Sequence, residues 1–250
     1  MLRDYQKELE LRVEYIRNCL KNAHSDGIVF GNSGGKDSAL VGILCKKACD
    51  NTTGIIMPCQ SRRNYEEDTV DANEVADKYG IKTLTVDITP AKEAVVGEVG
   101  KVTDLTTMAL ANINPRLRMI TLYAYAHANN LLVAGTGNRS ESYVGYFTKH
   151  GDGGYDFNPI RDLTVTEVYE FLEFLDAPMS VRTKAPSAAL YEGQTDEQEM
   201  GMTYAQIDEY LFNGPDNLPN EIVEKIERMH RNSAHKLGKA NVYFDNVSDK

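Results

Sequence analysis

Short apolar runs alternate with segments of helical periodicity along this chain, and that alternation limits the possible folds more than any other feature. Four runs have the length and residue types of buried strands, at residues 28–30, 54–57, 82–86 and 131–134. Helical patterns lie between them, so consecutive strands need crossover connections and run parallel. The pattern predicts an α/β fold with a doubly wound, Rossmann-like parallel sheet that is flanked by helices.

The remaining apolar residues mostly recur at three- and four-residue intervals, which is typical of amphipathic helices. Helices are predicted at residues 2–20, 38–49, 65–79, 118–129, 204–211 and 221–231. Thr164 and Glu167 form a capping-box pair, which predicts one more helix start. Residues 145–156 and 185–201 are predicted to be loops. We therefore expect one domain over residues 1–250, with a mostly helical C-terminal part.

Charge and composition exclude several classes of function. The net charge of -10 and the pI of about 5.0 repel polyanions, so we expect no nucleic-acid partner. The N-terminus lacks the apolar core of a signal peptide, and no apolar stretch reaches the length of a membrane span. The four cysteines form no CxxC pair. These features predict a reduced, cytoplasmic protein without a membrane partner.

The loop after the first strand reads Ser33-Gly34-Gly35-Lys36-Asp37-Ser38. Its glycines allow backbone amides to approach phosphate oxygens, its serine hydroxyls add donors, and the next helix presents its positive end. Asp37 at that end could hold a Mg²⁺ ion that bridges phosphate oxygens. The same residues could also be a simple helix cap with a glycine turn. Two glycines flanked by two serines directly after a strand favour phosphate binding instead. We predict a phosphate-binding loop.

Neither common nucleotide-binding motif fits the chain. A Walker A loop needs glycine at the position of Phe30 and serine or threonine at that of Asp37. The dinucleotide fingerprint fails after the fourth strand, because Ser140 stands where its third glycine would be.

The loop resembles the pyrophosphate-binding loop of ATP pyrophosphatases, and the downstream motifs resemble those of the NAD synthetases within that superfamily. These motifs are Pro115-Arg116-Leu117-Arg118-Met119, Gly135-Thr136-Gly137-Asn138-Arg139-Ser140-Glu141, residues 145–154 with 156–160, Pro186-Ser187-Ala188, Gln194-Thr195-Asp196-Glu197 and His235-Lys236. The resemblance implies a ligase that adenylates the carboxylate of deamido-NAD with ATP. Ammonia then displaces AMP to give NAD, and pyrophosphate is the other product.

The resemblance also implies roles for individual residues. ATP would be bound by Ser33, Gly34, Gly35, Lys36, Ser38, Thr136 and Ser187. Deamido-NAD would be contacted by Arg116, Lys149, Asp156, His235 and Lys236. Mg²⁺ would be held by Asp37 and Glu141. Catalysis would involve Asp37, Lys184 and Asp196.

Several of these residues also have simpler structural interpretations. Lys149 and Asp156 could pair across a surface loop, where an ion pair contributes little to stability. His235 and Lys236 could be an exposed basic pair, and Glu141 could be an acid that interacts favourably with a helix dipole.

The chain departs from the family pattern at Val165, where a basic residue usually contacts the phosphates of ATP. Lys36 is charged at a position that is often apolar or neutral in the family, so it could supply part of the missing charge. Two other functions stay open: an ATP pyrophosphatase that adenylates a different acceptor, and a catalytically inactive nucleotide-binding module.

The nitrogen source follows from the chain length. Glutamine-dependent NAD synthetases carry a large amidase domain, for which 250 residues leave no room. We therefore expect ammonia, either free or delivered by a separate protein. The resemblance also implies a homodimer.

Overall fold

The computed structural model describes residues 3–60, 62–184 and 196–238. Four strands in this part of the chain form a fully parallel sheet with the order β3-β2-β1-β4. Their bounds are β1 Gly27–Gly31, β2 Thr52–Ile56, β3 Lys82–Thr85 and β4 Leu131–Ala134. All four strands were predicted from the sequence, and the predicted ends differ by no more than two residues.

Helices account for most of the remaining described residues. They are α1 Tyr5–Ala23, α2 Lys36–Ala48, α3 Arg62–Tyr79, α4 Thr89–Val99, α5 Thr107–Ala128, α6 Arg139–Val144, α7 Val165–Phe174, α8 Met179–Thr183, α9 Asp196–Met200, α10 Tyr204–Asn213 and α11 Asn220–Leu237. None of the helices in the described ranges combines the length and apolar character that crossing a bilayer requires.

Apolar clusters cover both faces of the sheet. On one face, Phe30 packs with residues of α1, α2 and α7, including the fully buried Leu40 and Phe171. On the other face, Val29 and Val133 pack against α5. β1, β2 and β4 are buried almost throughout, as expected for strands that are covered on both sides. The doubly wound architecture is therefore confirmed.

The strand order reverses between β1 and β4. From β1 the chain crosses to β2 and β3 on one side, and it then returns to place β4 on the other side of β1. Ligands in open parallel sheets bind beyond the carboxyl ends of the strands at such a switch point. This topology places the loop after β1 beside the loop after β4.

The predicted start of α5 at residue 118 is wrong, because the helix begins at Thr107. Thr106 caps it by accepting a hydrogen bond from the amide of Ala109. Pro115 lies inside the helix and is buried, and a Cβ added to Gly151 would come within 3.0 Å of its side chain. Tertiary packing thus accommodates a residue that normally disfavours a helix interior. Helix α4 was not predicted either, and it buries none of its residues.

The C-terminal part is helical, as predicted, and has its own apolar cluster of Val144, Val165, Met200, Met202, Tyr204, Ile207 and Ile226. The capping box at the start of α7 is confirmed by reciprocal hydrogen bonds between Thr164 and Glu167. Residues 145–156 are non-helical, as expected. The predicted loop at 185–201 is wrong for Asp196–Met200, which form α9. Residues 185–195 lie outside the described ranges.

Candidate active site

A cavity of about 600 Å³ opens at the carboxyl ends of β1, β2 and β4. The loops that follow β1 and β4 form part of its wall, and other parts come from α5, residues 144–154, the C-terminal end of α11 and α9. Ten residues with predicted roles line it: Ser33, Gly35, Lys36, Asp37, Ser38, Thr136, Glu141, Lys184, Asp196 and Lys236.

The loop after β1 has the geometry of an anion-binding turn. Gly34 has a φ of 69°, and a Cβ at this position would lie 2.2 Å from the carbonyl oxygen of Asp68. Gly35 is the N-cap of α2 and supplies no side-chain acceptor to the first turn of that helix. Ser33 and Ser38 are hydrogen-bonded through their hydroxyls, 3.1 Å apart. The first amides of α2 are therefore available to a phosphate group at the positive end of the helix.

Asn138 joins the two carboxylates that were predicted to bind a metal ion. It has no exposed surface, and its Nδ2 donates to Asp37 Oδ1 at 3.0 Å. Its Oδ1 accepts from the amide of Glu141 at 2.9 Å, and Glu141 Oε2 accepts from the amide of Asn138 at 3.0 Å. This capping box at the start of α6 holds Glu141 beside Asp37.

Lys36 is a buried cation beside these carboxylates. It is 5% exposed, and its Nζ lies 2.7 Å from Asp37 Oδ2. Burial disfavours the charged ammonium, but the carboxylates of Asp37 and Glu141 more than offset this effect and raise the pKa of Lys36. Burial and the charge of Asp37 in turn raise the pKa of Glu141 to about 8.

Lys184 reaches the same loop from the end of α8. Its Nζ lies 2.8 Å from Asp68 Oδ1 and 2.5 Å from Asp71 Oδ2, two carboxylates of α3. It also lies 3.5 Å from the carbonyl oxygen of Gly34. The ammonium group of Lys184 is thereby held beside the carbonyl oxygen of Gly34 in the anion-binding turn.

Asp196 is only 4% exposed and lies at the start of α9. Its Oδ2 accepts a hydrogen bond from Tyr204 at 3.0 Å. Nearby, Tyr146 donates to Glu199 at 2.7 Å, and both of these residues line the cavity. Acidic and phenolic groups therefore concentrate at this end of the site.

Lys236 enters the cavity because α11 packs tightly on α6. Gly145 ends α6 with a φ of 71°, and a Cβ there would lie 2.0 Å from that of Ser233. The Nζ of Lys236 donates to the carbonyl oxygens of Gly145 at 2.8 Å and Phe147 at 2.9 Å. The C-terminal end of α11 is thus joined to the loop that follows α6.

Comparison with known proteins identifies the family of this chain. The family model described as NAD synthase matches residues 8–240. The NH(3)-dependent NAD(+) synthetase of Carboxydothermus hydrogenoformans is 47% identical over 93% of this chain and 95% of that protein. The chain belongs to the NAD synthase family. This result confirms the resemblance that the sequence motifs carried.

Solved structures support the NAD synthase assignment. The NMN synthetase of Francisella tularensis has a TM-score of 0.91 at 36% identity, with 97% of this chain and 99% of that chain covered. The NH3-dependent NAD synthetase of Campylobacter jejuni has a TM-score of 0.79 at 29% identity, with 97% and 100% covered.

Four residues that the NAD synthase pattern associates with deamido-NAD do not line the cavity: Arg116, Lys149, Asp156 and His235. Arg116, Asp156 and His235 are exposed. Asp156 accepts hydrogen bonds from the amide of Val133 at 2.7 Å and from Tyr123 at 3.1 Å. Lys149 donates to the carbonyl oxygen of His235 at 2.8 Å and does not pair with Asp156. Ser187 lies outside the described residues.

Val165, the departure from the NAD synthase pattern, is 5% exposed and packs in the C-terminal apolar cluster. Its amide donates to Ser140 Oγ at 3.1 Å. An apolar side chain buried in this way offers no donor to phosphate. The Nζ of Lys36 lies 5.9 Å and 5.5 Å from the ring centres of Tyr169 and Tyr204, which belong to the same cluster.

Sequence reasoning missed four polar residues at the site. Asn138 and Arg118 lie within the NAD synthase motifs, and this position could have identified them as site residues. Neither of them was assigned a role from the sequence. Asp68 and Asp71 had no such signal, since they are two of several acids on a polar helix. Their contact with Lys184 in the folded structure places them at the site.

Proposed function

We propose that this chain is an ammonia-dependent NAD synthetase, a ligase that amidates deamido-NAD at the expense of ATP. The observation that carries the proposal is the arrangement at the switch point of the sheet. There an anion-binding turn faces Glu141, and Asn138 connects that residue to Asp37. The relatives of the chain that are named as NH(3)-dependent NAD(+) synthetases support the same conclusion.

In the first step, an oxygen of the nicotinate carboxylate bonds to the α-phosphorus of ATP, and the bond to pyrophosphate breaks. The amides and hydroxyls of residues 33–38 would hold the departing pyrophosphate, and Lys184 would offset its charge. In the second step, ammonia bonds to the activated carbonyl carbon, AMP leaves and a proton is released. Positioning and electrostatics supply most of the catalysis in such a site.

The donor set at the site suits Mg²⁺. Six carboxylates and four cations line the cavity within the described residues, which leaves a formal excess of two negative charges where a triphosphate must bind. Asp37 and Glu141 would hold the ion, because Mg²⁺ is usually bound through one or two carboxylates together with substrate phosphates. When bound, it would neutralise charge on the triphosphate.

A homodimer is part of the proposal. Arg116, Asp156 and His235 lie on the exposed surface of one chain. For these residues to contact the distant half of a dinucleotide, a second chain would have to cover that surface. A cytoplasmic location is also proposed, since all four cysteines are free.

Nicotinate mononucleotide is a second candidate acceptor. The specific observation is the TM-score of 0.91 to the NMN synthetase, against 0.79 and 0.77 for the two NAD synthetases of Campylobacter jejuni and Burkholderia pseudomallei. The amide made from this smaller acceptor is NMN, and its formation needs no contact with a distant AMP half.

The test is to incubate purified protein with Mg²⁺, ATP, ammonium and either deamido-NAD or nicotinate mononucleotide. The amide product, AMP and pyrophosphate are then measured together. We expect equal formation of all three with deamido-NAD, and a loss of at least about 100-fold in Asp37→Asn because a charge-stabilising group is removed. Pyrophosphate without either amide would point to another acceptor. ATP binding without turnover would point to an inactive module.

A further inference from the structure

The cations that line the cavity differ in their partners. Four belong to the described residues: Lys36, Arg118, Lys184 and Lys236. Lys36 and Lys184 each lie within 2.8 Å of a carboxylate oxygen. Arg118 and Lys236 have no carboxylate of a described residue within 4.0 Å. Neither Arg118 nor Lys236 is therefore held in a direct ion pair with a described carboxylate, so both can contact an anionic ligand in the cavity.

Arg118 has most of its hydrogen-bonding capacity available. Its Nε donates to the carbonyl oxygen of Met57 at 3.3 Å, which directs the guanidinium to the carboxyl end of β2. Its Nη1 and Nη2 atoms donate to no residue in the described part of the chain. Burial lowers the pKa of Arg118, but a guanidinium stays charged in proteins. Its planar fork matches the geometry of a phosphate or carboxylate.

Lys236 faces the same part of the cavity as Arg118. Its two hydrogen bonds go to neutral carbonyl oxygens, so its charge is not balanced by them. Both cations act on Asp152, which also lines the cavity. Asp152 accepts a hydrogen bond from the amide of Thr148 at 2.9 Å, and the charges of Lys236 and Arg118 favour its ionised form. An anion bound here would interact with both cations.

Residues 33–38 already provide hydrogen-bond donors for the triphosphate of ATP. Arg118 and Lys236 therefore suit the other substrate, the acceptor nucleotide. The reacting carboxylate needs a free oxygen for its attack on phosphorus, and a bidentate guanidinium would withdraw electron density from it. We infer that Arg118, together with Lys236, binds a phosphate group of the acceptor nucleotide. This inference rests on the proposed function and assigns part of the acceptor site to a residue without a predicted role.

Steady-state kinetics with Arg118→Met and Arg118→Lys test the inference. Because a charge-assisted hydrogen bond contributes about 1.5–3 kcal/mol, we expect Arg118→Met to raise the KM for deamido-NAD about 10- to 100-fold. The KM for ATP should stay within about twofold. Arg118→Lys should recover part of the loss, because it keeps the charge but not the fork. Arg231→Gln, on the exposed side of α11, is the control. A rise confined to the KM for ATP would overturn the inference.

Calorimetric titration with deamido-NAD and with NAD separates phosphate binding from carboxylate binding. Both ligands carry the phosphates, but only deamido-NAD carries the carboxylate, so Arg118→Met should weaken both by similar factors. A loss confined to deamido-NAD, or no loss at all, would contradict the inference. If the wild-type protein binds these ligands without forming NAD, the proposed function fails and the titration still tests Arg118. If it binds neither, both proposals fail.

Discussion

Gly34 shows how one residue couples the anion-binding turn to the rest of the molecule. Its φ of 69° lies in the region that favours glycine, and the carbonyl oxygen of Asp68 occupies the space that a side chain would need. Asp68 also binds Lys184, so the turn, α3 and Lys184 meet at this point. The glycine is required by both backbone conformation and close packing.

Replacement of Gly34 by alanine should therefore impair the site. A left-handed conformation costs alanine about 1–2 kcal/mol, and the added methyl group must also displace the backbone of α3. We expect a lower melting temperature and a KM for ATP that is raised at least about 10-fold, measured by thermal unfolding and steady-state kinetics.

Gly97→Ala in α4 is the matched control for Gly34→Ala. No atom lies within 4 Å of an added Cβ at Gly97, and alanine is the better helix former by about 1 kcal/mol. It should leave the KM for ATP unchanged and should not lower the melting temperature. A Gly34→Ala protein with wild-type stability and KM would show that the turn tolerates a side chain.

At the scale of elements, Asp208 of α10 connects three helices. Its Oδ1 accepts from Ser140 of α6, and its Oδ2 accepts from the amide and hydroxyl of Thr166 at 2.8 and 2.7 Å. Thr166 lies in the first turn of α7, where a carboxylate is stabilised by the helix dipole. Ser140 precedes Glu141, so this network also helps to orient the predicted metal-binding helix.

Asp208→Ala should destabilise the protein by about 2–4 kcal/mol, because it leaves buried donors without acceptors. The measurement is urea unfolding, with stability taken from the midpoint and slope. Asp216→Ala, at an exposed position, should change stability by less than about 0.5 kcal/mol. Equal stability of the two variants would show that the network contributes little.

At the scale of the whole molecule, burial of acidic groups in the cavity links the stability of the protein to pH. Glu141 is the clearest case, since burial and Asp37 raise its pKa to about 8. The folded protein then retains a proton that the unfolded chain releases near pH 4.5, the ordinary value for this group. Since the folded state binds more protons in this interval, the ligand-free protein should lose stability as pH rises from about 5 to 8.

Glu141→Gln should remove this contribution, because the amide does not ionise and can still accept the capping hydrogen bond. In urea unfolding without Mg²⁺ or ATP, we expect the variant to gain stability relative to the wild type at pH 8 but not at pH 5. Its activity should fall at both values. A stability difference that does not change with pH would contradict the assigned pKa shift.

Local patterns in the sequence were sufficient for the sheet and for the phosphate-binding loop. Strands covered on both faces need continuous apolar runs, and an anion-binding turn needs glycines followed by a helix start, so both leave a signature within a few residues. The order of the motifs was likewise sufficient for the family. The strand order, and with it the switch point between β1 and β4, came from the structure.

Only the tertiary structure decided which polar residues meet. Arg116 and Arg118 share a motif, but two positions on a helix are about 200° apart, so the packing of α5 determines which one enters the cavity. Helix α5 continues through Pro115, and Gly151 from a distant loop lies against the side chain of this proline. The partners of Lys184 are more than 110 residues away in sequence. Such contacts arise from the packing of distant elements, which no local pattern encodes.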